Sequence, residues 1–215
     1  FQQTTRKIPV LNATQYGVIV NEAYAAGGST PPFSDLSTLG IGTNWQDEVF
    51  ESAPIMNHHI TLKGGKEKSS YSFSSSYLTQ DGIGGKKSNF TRVTNTATYN
   101  LDFLENFKFK SGVTLTGVNS QGLPENALGS VLFNALNMAP TIPVRDENGE
   151  FSLADGLGAE VINPIAQMAN TYNRNKVMKI NGFAGLAYNF LEHFTAEANI
   201  QFNYAKVEGE FFNPV

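Results

Sequence analysis

The chain has 215 residues, with 15 Lys and Arg against 19 Asp and Glu, and it contains no Cys. That excludes disulfides, thiolate metal sites and cysteine nucleophiles, and the scattered basic residues form no stripe of the kind a nucleic-acid surface needs. Charged residues make up only 16%, under the roughly 25% of ordinary globular domains, and no run approaches the ~18 apolar residues of a membrane helix, which leaves a membrane-spanning barrel open.

Residues 1–8 read as the end of a strand, and the start at Phe1-Gln2-Gln3, without initiator Met, basic n-region or apolar h-region, reads as the middle of something, any export signal being removed or upstream. Asn12 can cap a helix running through Tyr16, Ile19 and Tyr24 to Gly27. From residue 55 the signal changes to two-residue alternation, sustained over segments longer than the ~5–6 residues usual for soluble strands. Six strands are predicted, at about 55–63, 69–80, 90–103, 107–119, 177–190 and 194–207.

Each predicted strand has one apolar and one polar face. Tyr71, Phe73 and Tyr77 alternate with Ser70, Ser72, Ser74 and Ser76; Val93, Ala97 and Tyr99 with Arg92, Thr94, Thr96 and Thr98; Phe107, Phe109, Val113 and Leu115 with Lys108, Lys110 and Thr114. Met178, Ile180, Ala184, Leu186 and Tyr188 oppose Lys179, Asn181 and Asn189, with Phe183 an exception, and Phe194, Ile200, Phe202 and Tyr204 oppose Thr195, Glu197, Asn199 and Gln201.

The connections alternate in length. Turns are expected at 64–68, 104–106 and 191–193, and longer loops at 9–54, 81–89 and 120–176. Outer-membrane barrels show this asymmetry, with short periplasmic turns and long external loops. Tyr99, Phe103, Phe107 and Phe109 flank one short turn, and Tyr188, Phe190 and Phe194 another, as an interfacial aromatic girdle would. Inside the longest loop, Leu128, Leu132, Phe133, Leu136 and Met138 have helical spacing before Pro140. Residues 142–152 read as a small hairpin turning at Asn148-Gly149.

No chemical motif survives inspection. Gly82 to Ser88 lacks the glycine and Ser or Thr placement of a phosphate loop, and Asp146, Asn148, Gly149 and Glu150 lack the closing Glu of a calcium loop. His58 and His59 are adjacent and must face opposite ways on a strand. The serines occur at strand period, and none is paired with a histidine in a nucleophile motif. Asn12-Ala13-Thr14 and Asn89-Phe90-Thr91 match the glycosylation sequon, a pattern frequent by chance. No enzyme, cofactor or metal site is expected, and no individual substrate contact can be named.

The order of residues is more specific than their pattern. Thr43-Asn44-Trp45-Gln46-Asp47-Glu48-Val49-Phe50, then Ala53-Pro54, Asn57-His58, Gly64-Gly65, Tyr71-Ser72-Phe73-Ser74 and Gln80-Asp81-Gly82-Ile83 resemble the stretch after the plug in the SusC/RagA family of TonB-linked outer-membrane transporters. Leu11 to Tyr16, Asn21 to Tyr24, Ala139 to Val144 and Asn163 to Ala166 are similar to the same family.

The resemblance implies an all-β, antiparallel up-and-down barrel wall, six or seven of 22 strands, with short helices in the external loops. It also implies a plug and a TonB-contacting segment that are absent here, a SusD-like surface lipoprotein, and import of oligosaccharides or peptides across the bacterial outer membrane. On this expectation Arg92, Asp102, Lys108 and Lys110 line the lumen, lipid covers the other face, and the loops at 9–54 and 120–176 meet ligand and lipoprotein. A soluble all-β carbohydrate-binding or adhesin module is the alternative from a different class.

Overall fold

The computed structural model describes residues 1–85, 88–123, 128–157, 161–191 and 193–212. Lys86 and Lys87 of the glycine-rich loop, Glu192 of the last short turn, and parts of the longest loop lie outside them. Six strands form one sheet: β1 Ile55–Lys66, β2 Ser69–Asp81, β3 Asn89–Leu104, β4 Phe107–Gly122, β5 Tyr172–Phe190 and β6 Phe194–Phe212. Each pairs antiparallel with the next in the chain, so the sheet is an up-and-down meander with β1 and β6 at its edges.

The strands overrun their predicted ends. Gly64 and Gly65, read as turn, belong to β1, and the turn is made by Glu67 and Lys68. Glycine is accommodated there because the Tyr71 ring, directly across at Gly64, occupies the space a Cβ would need. β5 begins at Tyr172 rather than near 177, and β6 runs to Phe212 rather than 207. Among the described residues the only register irregularity falls between Leu101 and Leu104, where β3 turns into β4.

Residues 1–8 do not form a seventh strand. Gln2 and Ala53 exchange backbone hydrogen bonds of 2.7 and 2.8 Å as an isolated bridge. The Gln46 side chain then satisfies both the N–H and the C=O of Ile8, at 3.0 and 2.7 Å, and Lys7 pairs with Asp47. The segment is thus tied to the chain before β1 at its two ends, Gln2 and Ile8.

Helix α1, Ala13–Ala26, starts as its sequence demands, with a capping box in which the Asn12 side chain accepts from the Gln15 N–H and the Gln15 side chain from the Asn12 N–H. The helical spacing from Leu128 yields only the seven residues of α3, Val131–Asn137, because Gly129 adopts φ 75 and the Ser130 side chain caps the helix after it. Two further helices, α2 Trp45–Val49 and α4 Pro164–Asn170, were not predicted; the second has Asn163 at its N-cap and Pro164 in its first turn. No described helix is long and apolar enough to cross a membrane.

The expected hairpin is present, but with a different turn. Arg145 bridges Phe151, the Gly149 N–H bonds Asp146 O at 3.0 Å, and only Gly149 has positive φ. This is a type I turn closed by a left-handed glycine, not the mirror-image turn of a two-residue loop. The Asp146 carboxylate accepts from the N–H groups of Asn148 and Glu150, so it is a turn former.

The buried apolar core lies outside the sheet. Trp45, Val49, Val131, Ala135 and Met138 cluster together, with Phe50, Ile142, Val144, Ile165 and Met168 packed against them. The segments before β1 and between β4 and β5 therefore fold into one cap. The buried Trp45 indole N–H donates to Ala139 O at 3.0 Å, and Thr43 bonds Pro140 O and Ile142 O, both at 2.8 Å.

Candidate functional site

In an antiparallel sheet, residues directly opposite share a face, so the register converts the alternation of single strands into continuous surfaces. One row runs Leu101, Phe109, Leu186, Ala198; another Ala97, Val113, Gly182, Phe202; a third Leu115, Ile180, Tyr204. Every apolar parity falls on the same face. Ile60, Leu62, Ile200 and Phe202 on it are 58–75% exposed, an apolar surface that water would not leave uncovered.

At the short-turn end this face carries a contiguous aromatic belt. Phe103 contacts Phe107, Phe107 stacks on Tyr188 at 4.4 Å between centroids, Tyr188 meets Phe190, and Phe190 meets Phe194. Toward the other end the continuous apolar rows stop at Met178 and Tyr204, and Tyr172 and Phe212 recur only at the strand ends. In between, the same face bears Lys206, Lys176, Glu208, Arg174 and Glu210. From Phe194 to Tyr204 the strand covers ~34 Å at its usual rise, or about 25 Å along the normal at the ~40–45° tilt of barrel strands, which is the height of an outer-membrane apolar band.

The opposite face is mostly polar, with Leu78, Val118, Val177 and Val207 sharing one row with Arg92. Thr61, Ser74, Thr96, Thr114, Asn181 and Asn203 lie in one row across all six strands, and the Thr96 and Thr114 hydroxyls are 3.1 Å apart. Arg92, Lys108 and Lys110 sit on this face as expected, whereas Asp102 falls in the register irregularity, where its N–H donates to Lys68 O. Phe183 also lies here, across from Gly112. His58 and His59 pair with Tyr77 and Ser76, on opposite faces, so they cannot chelate one ion. Among the described residues no cluster of three or more His, Asp or Glu could hold a metal.

Where the cap meets the polar face there is a cavity of about 540 Å³, walled by Val49, Phe50, Ile83, Leu123 and Val131, with Arg6, Gln46 and Gln80 at its polar side. Beside it a cleft of about 230 Å³ is lined by Gln80, Ser88, Ser120, Gln121, Asn173 and Asn175. Such amide and hydroxyl groups can hydrogen-bond hydroxyl- or amide-rich ligands without a charge preference.

The cap is fixed by side chains that strand periodicity could not reveal. Asn134, fully buried, donates to Gln167 Oε1 at 2.9 Å, and Asn163 donates to Val144 O and Ser152 O. The one sequence sign was Asn163-Pro164 as a helix start.

A sheet with one apolar face, an aromatic belt at one end and charges at the other is the wall of an outer-membrane β-barrel. No family model matches the chain. It is 26% identical over 99% of its length to a TonB-dependent receptor of Formosa agariphila, 30% over 83% to another from that organism, and 28% over 73% to the TonB-dependent receptor SusC of Bacteroides thetaiotaomicron. Its fold superposes on the RagAB peptide importer in the open-open state with a TM-score of 0.67 at 15% identity, over 95% of this chain, and on the RagAB peptide transporter with 0.63 at 18% identity, over 79%.

The chain is a fragment of a SusC/RagA-type TonB-dependent receptor, one of a family of outer-membrane proteins. It spans only 15–21% of the length of those curated relatives and 20–23% of those structures.

Proposed function

We propose that this segment is part of the pore wall and outer mouth of a TonB-dependent transporter that imports oligosaccharides or peptides with a SusD-like surface lipoprotein. The observation that carries it is the two-faced sheet, with an apolar band of membrane height on one side and a hydroxyl- and amide-lined row on the other. The long connections, folded into one cap at the charged end, are the external loops, and the short turns beside the aromatic belt are periplasmic. The open edges of β1 and β6 would leave backbone groups unsatisfied in lipid, so further strands close the barrel.

The plug and the TonB-contacting segment belong to other parts of the receptor. The names of two structural neighbours, the RagAB peptide importer and the RagAB peptide transporter, support peptides as one imported class.

A soluble adhesin or sugar-binding module would have to cover the exposed apolar face with protein. The test is fractionation of cells expressing the receptor, followed by uptake of labelled oligopeptides and oligosaccharides with the neighbouring lipoprotein gene intact or deleted. Recovery of the receptor in the soluble fraction would overturn the reading. Loss of uptake of one ligand class on deleting the lipoprotein is the expected result.

A further inference from the structure

The apolar face is not uniform at its charged end. Val93, Gly117, Met178 and Lys206 form one row across β3 to β6, and Thr91, Asn119, Lys176 and Glu208 form the next row outward. Gly117 removes a side chain from the first row, and a Cβ there would meet nothing within 4 Å. The result is a groove of about 380 Å³ floored by Gly117, walled by Val93 and Met178, and closed at its outer end by Lys176, Lys206 and Glu208. Lys206 starts in the apolar row, and its ammonium reaches Glu208 at 2.6 Å, one row outward, the behaviour of a lysine anchored at a lipid boundary.

We propose that this groove holds one phosphorylated lipid, an acyl chain lying over Gly117 and the phosphate seated between Lys176 and Lys206. The inference rests on the reading that this face meets lipid. Two ammoniums against one carboxylate leave the outer end of the groove positive, and basic residues at a membrane surface attract anionic headgroups. Asn119 and Thr91 add an amide and a hydroxyl within the same row. The groove opens where the apolar band ends, so a single molecule fills both its dry and its charged part. Glu208 competes with the phosphate for Lys206 and sets the strength of the site.

The test is native mass spectrometry and phosphorus analysis of the full-length receptor, purified from outer membranes and progressively delipidated in mild detergent. The wild type is expected to retain one phosphorylated lipid after bulk lipid is gone. Gly117→Leu, which fills the groove, and the double variant Lys176→Gln, Lys206→Gln should each lose it, while Glu208→Gln should hold it through several-fold more detergent washing. Lys176→Arg should keep it. Resistance of the unboiled barrel to SDS shows that each variant is folded.

Equal retention by wild type, Gly117→Leu and the double variant overturns the proposal, as does displacement of the lipid by millimolar inorganic phosphate alone, which would make this a free-anion site. A receptor that fractionates as soluble instead overturns the membrane reading beneath it.

Discussion

Phe183 stands directly across β4 and β5 from Gly112, and its ring fills the space a side chain at position 112 would need. A Cβ there would lie 2.4 Å from the ring's Cε1. This accounts for the one large aromatic on the polar parity of β5: it covers a strand glycine that would otherwise leave a gap and a floppy backbone. Gly112→Ala should push the ring off and destabilise the barrel by about 1–2 kcal/mol. In the Phe183→Ala background the same change should be nearly neutral or favourable. A double-mutant cycle on unfolding of the detergent-solubilised receptor measures this, and strictly additive effects would show that the two residues do not cooperate.

Phe183 also illustrates what the sequence could and could not show. Alternation alone located all six strands and sorted their residues onto the correct faces, because a strand in lipid must separate apolar from polar at every second position. It failed at the strand ends for the same reason. Beyond Met178 and Tyr204 the wall leaves the apolar band, so Lys176, Arg174, Lys206 and Glu208 no longer mark a face, yet backbone pairing continues to Tyr172 and Phe212. The cap was less legible still. Trp45 finds Ala139, and Asn134 finds Gln167, through contacts between distant segments that no local period encodes.

Gly42 should be the least replaceable glycine of the cap. Its φ is 70, and a Cβ would sit 2.2 Å from Pro140 O, backbone that cannot swing aside. Gly42→Ala combines a left-handed penalty with a backbone clash and should cost about 2–4 kcal/mol locally. Because the buried core of the cap lies outside the sheet, the barrel should still resist SDS when unboiled. Limited proteolysis should instead cut the regions before β1 and between β4 and β5 much faster than in the wild type. Unchanged cleavage would show that this approach does not hold the cap.

Trp45→Phe keeps most of the apolar volume of the core cluster but removes the indole N–H that meets Ala139 O. The expected loss is about 1–2 kcal/mol, the cost of leaving a buried carbonyl unsatisfied, with the same protease readout at a smaller amplitude than Gly42→Ala. The order of the two variants is the check. If Trp45→Phe exposes the cap more than Gly42→Ala does, packing rather than the backbone approach dominates its stability.

Leu191, in the turn from β5 to β6, has φ 49 and is largely exposed. A leucine in that region pays roughly 1–2 kcal/mol relative to one in an ordinary conformation, so Leu191→Gly should recover part of it and Leu191→Asn somewhat less. The gain should appear as a higher unfolding temperature. A fall in both variants would mean that the leucine side chain anchors the turn at the interface and outweighs the strain.

The sharpest test of the two faces places the same charge on each. Ala184 lies near the middle of the apolar band, opposite Ile200, while Thr114 lies in the polar row opposite Asn181. An arginine facing the middle of the bilayer costs about 2–4 kcal/mol, whereas one facing an aqueous lumen changes selectivity more than stability. Ala184→Arg should therefore lower the barrel's resistance to unfolding and its yield in the outer membrane, and Thr114→Arg should do neither while altering ligand uptake. Equal destabilisation by the two would contradict the assignment of faces, and a larger effect at Thr114 would reverse it.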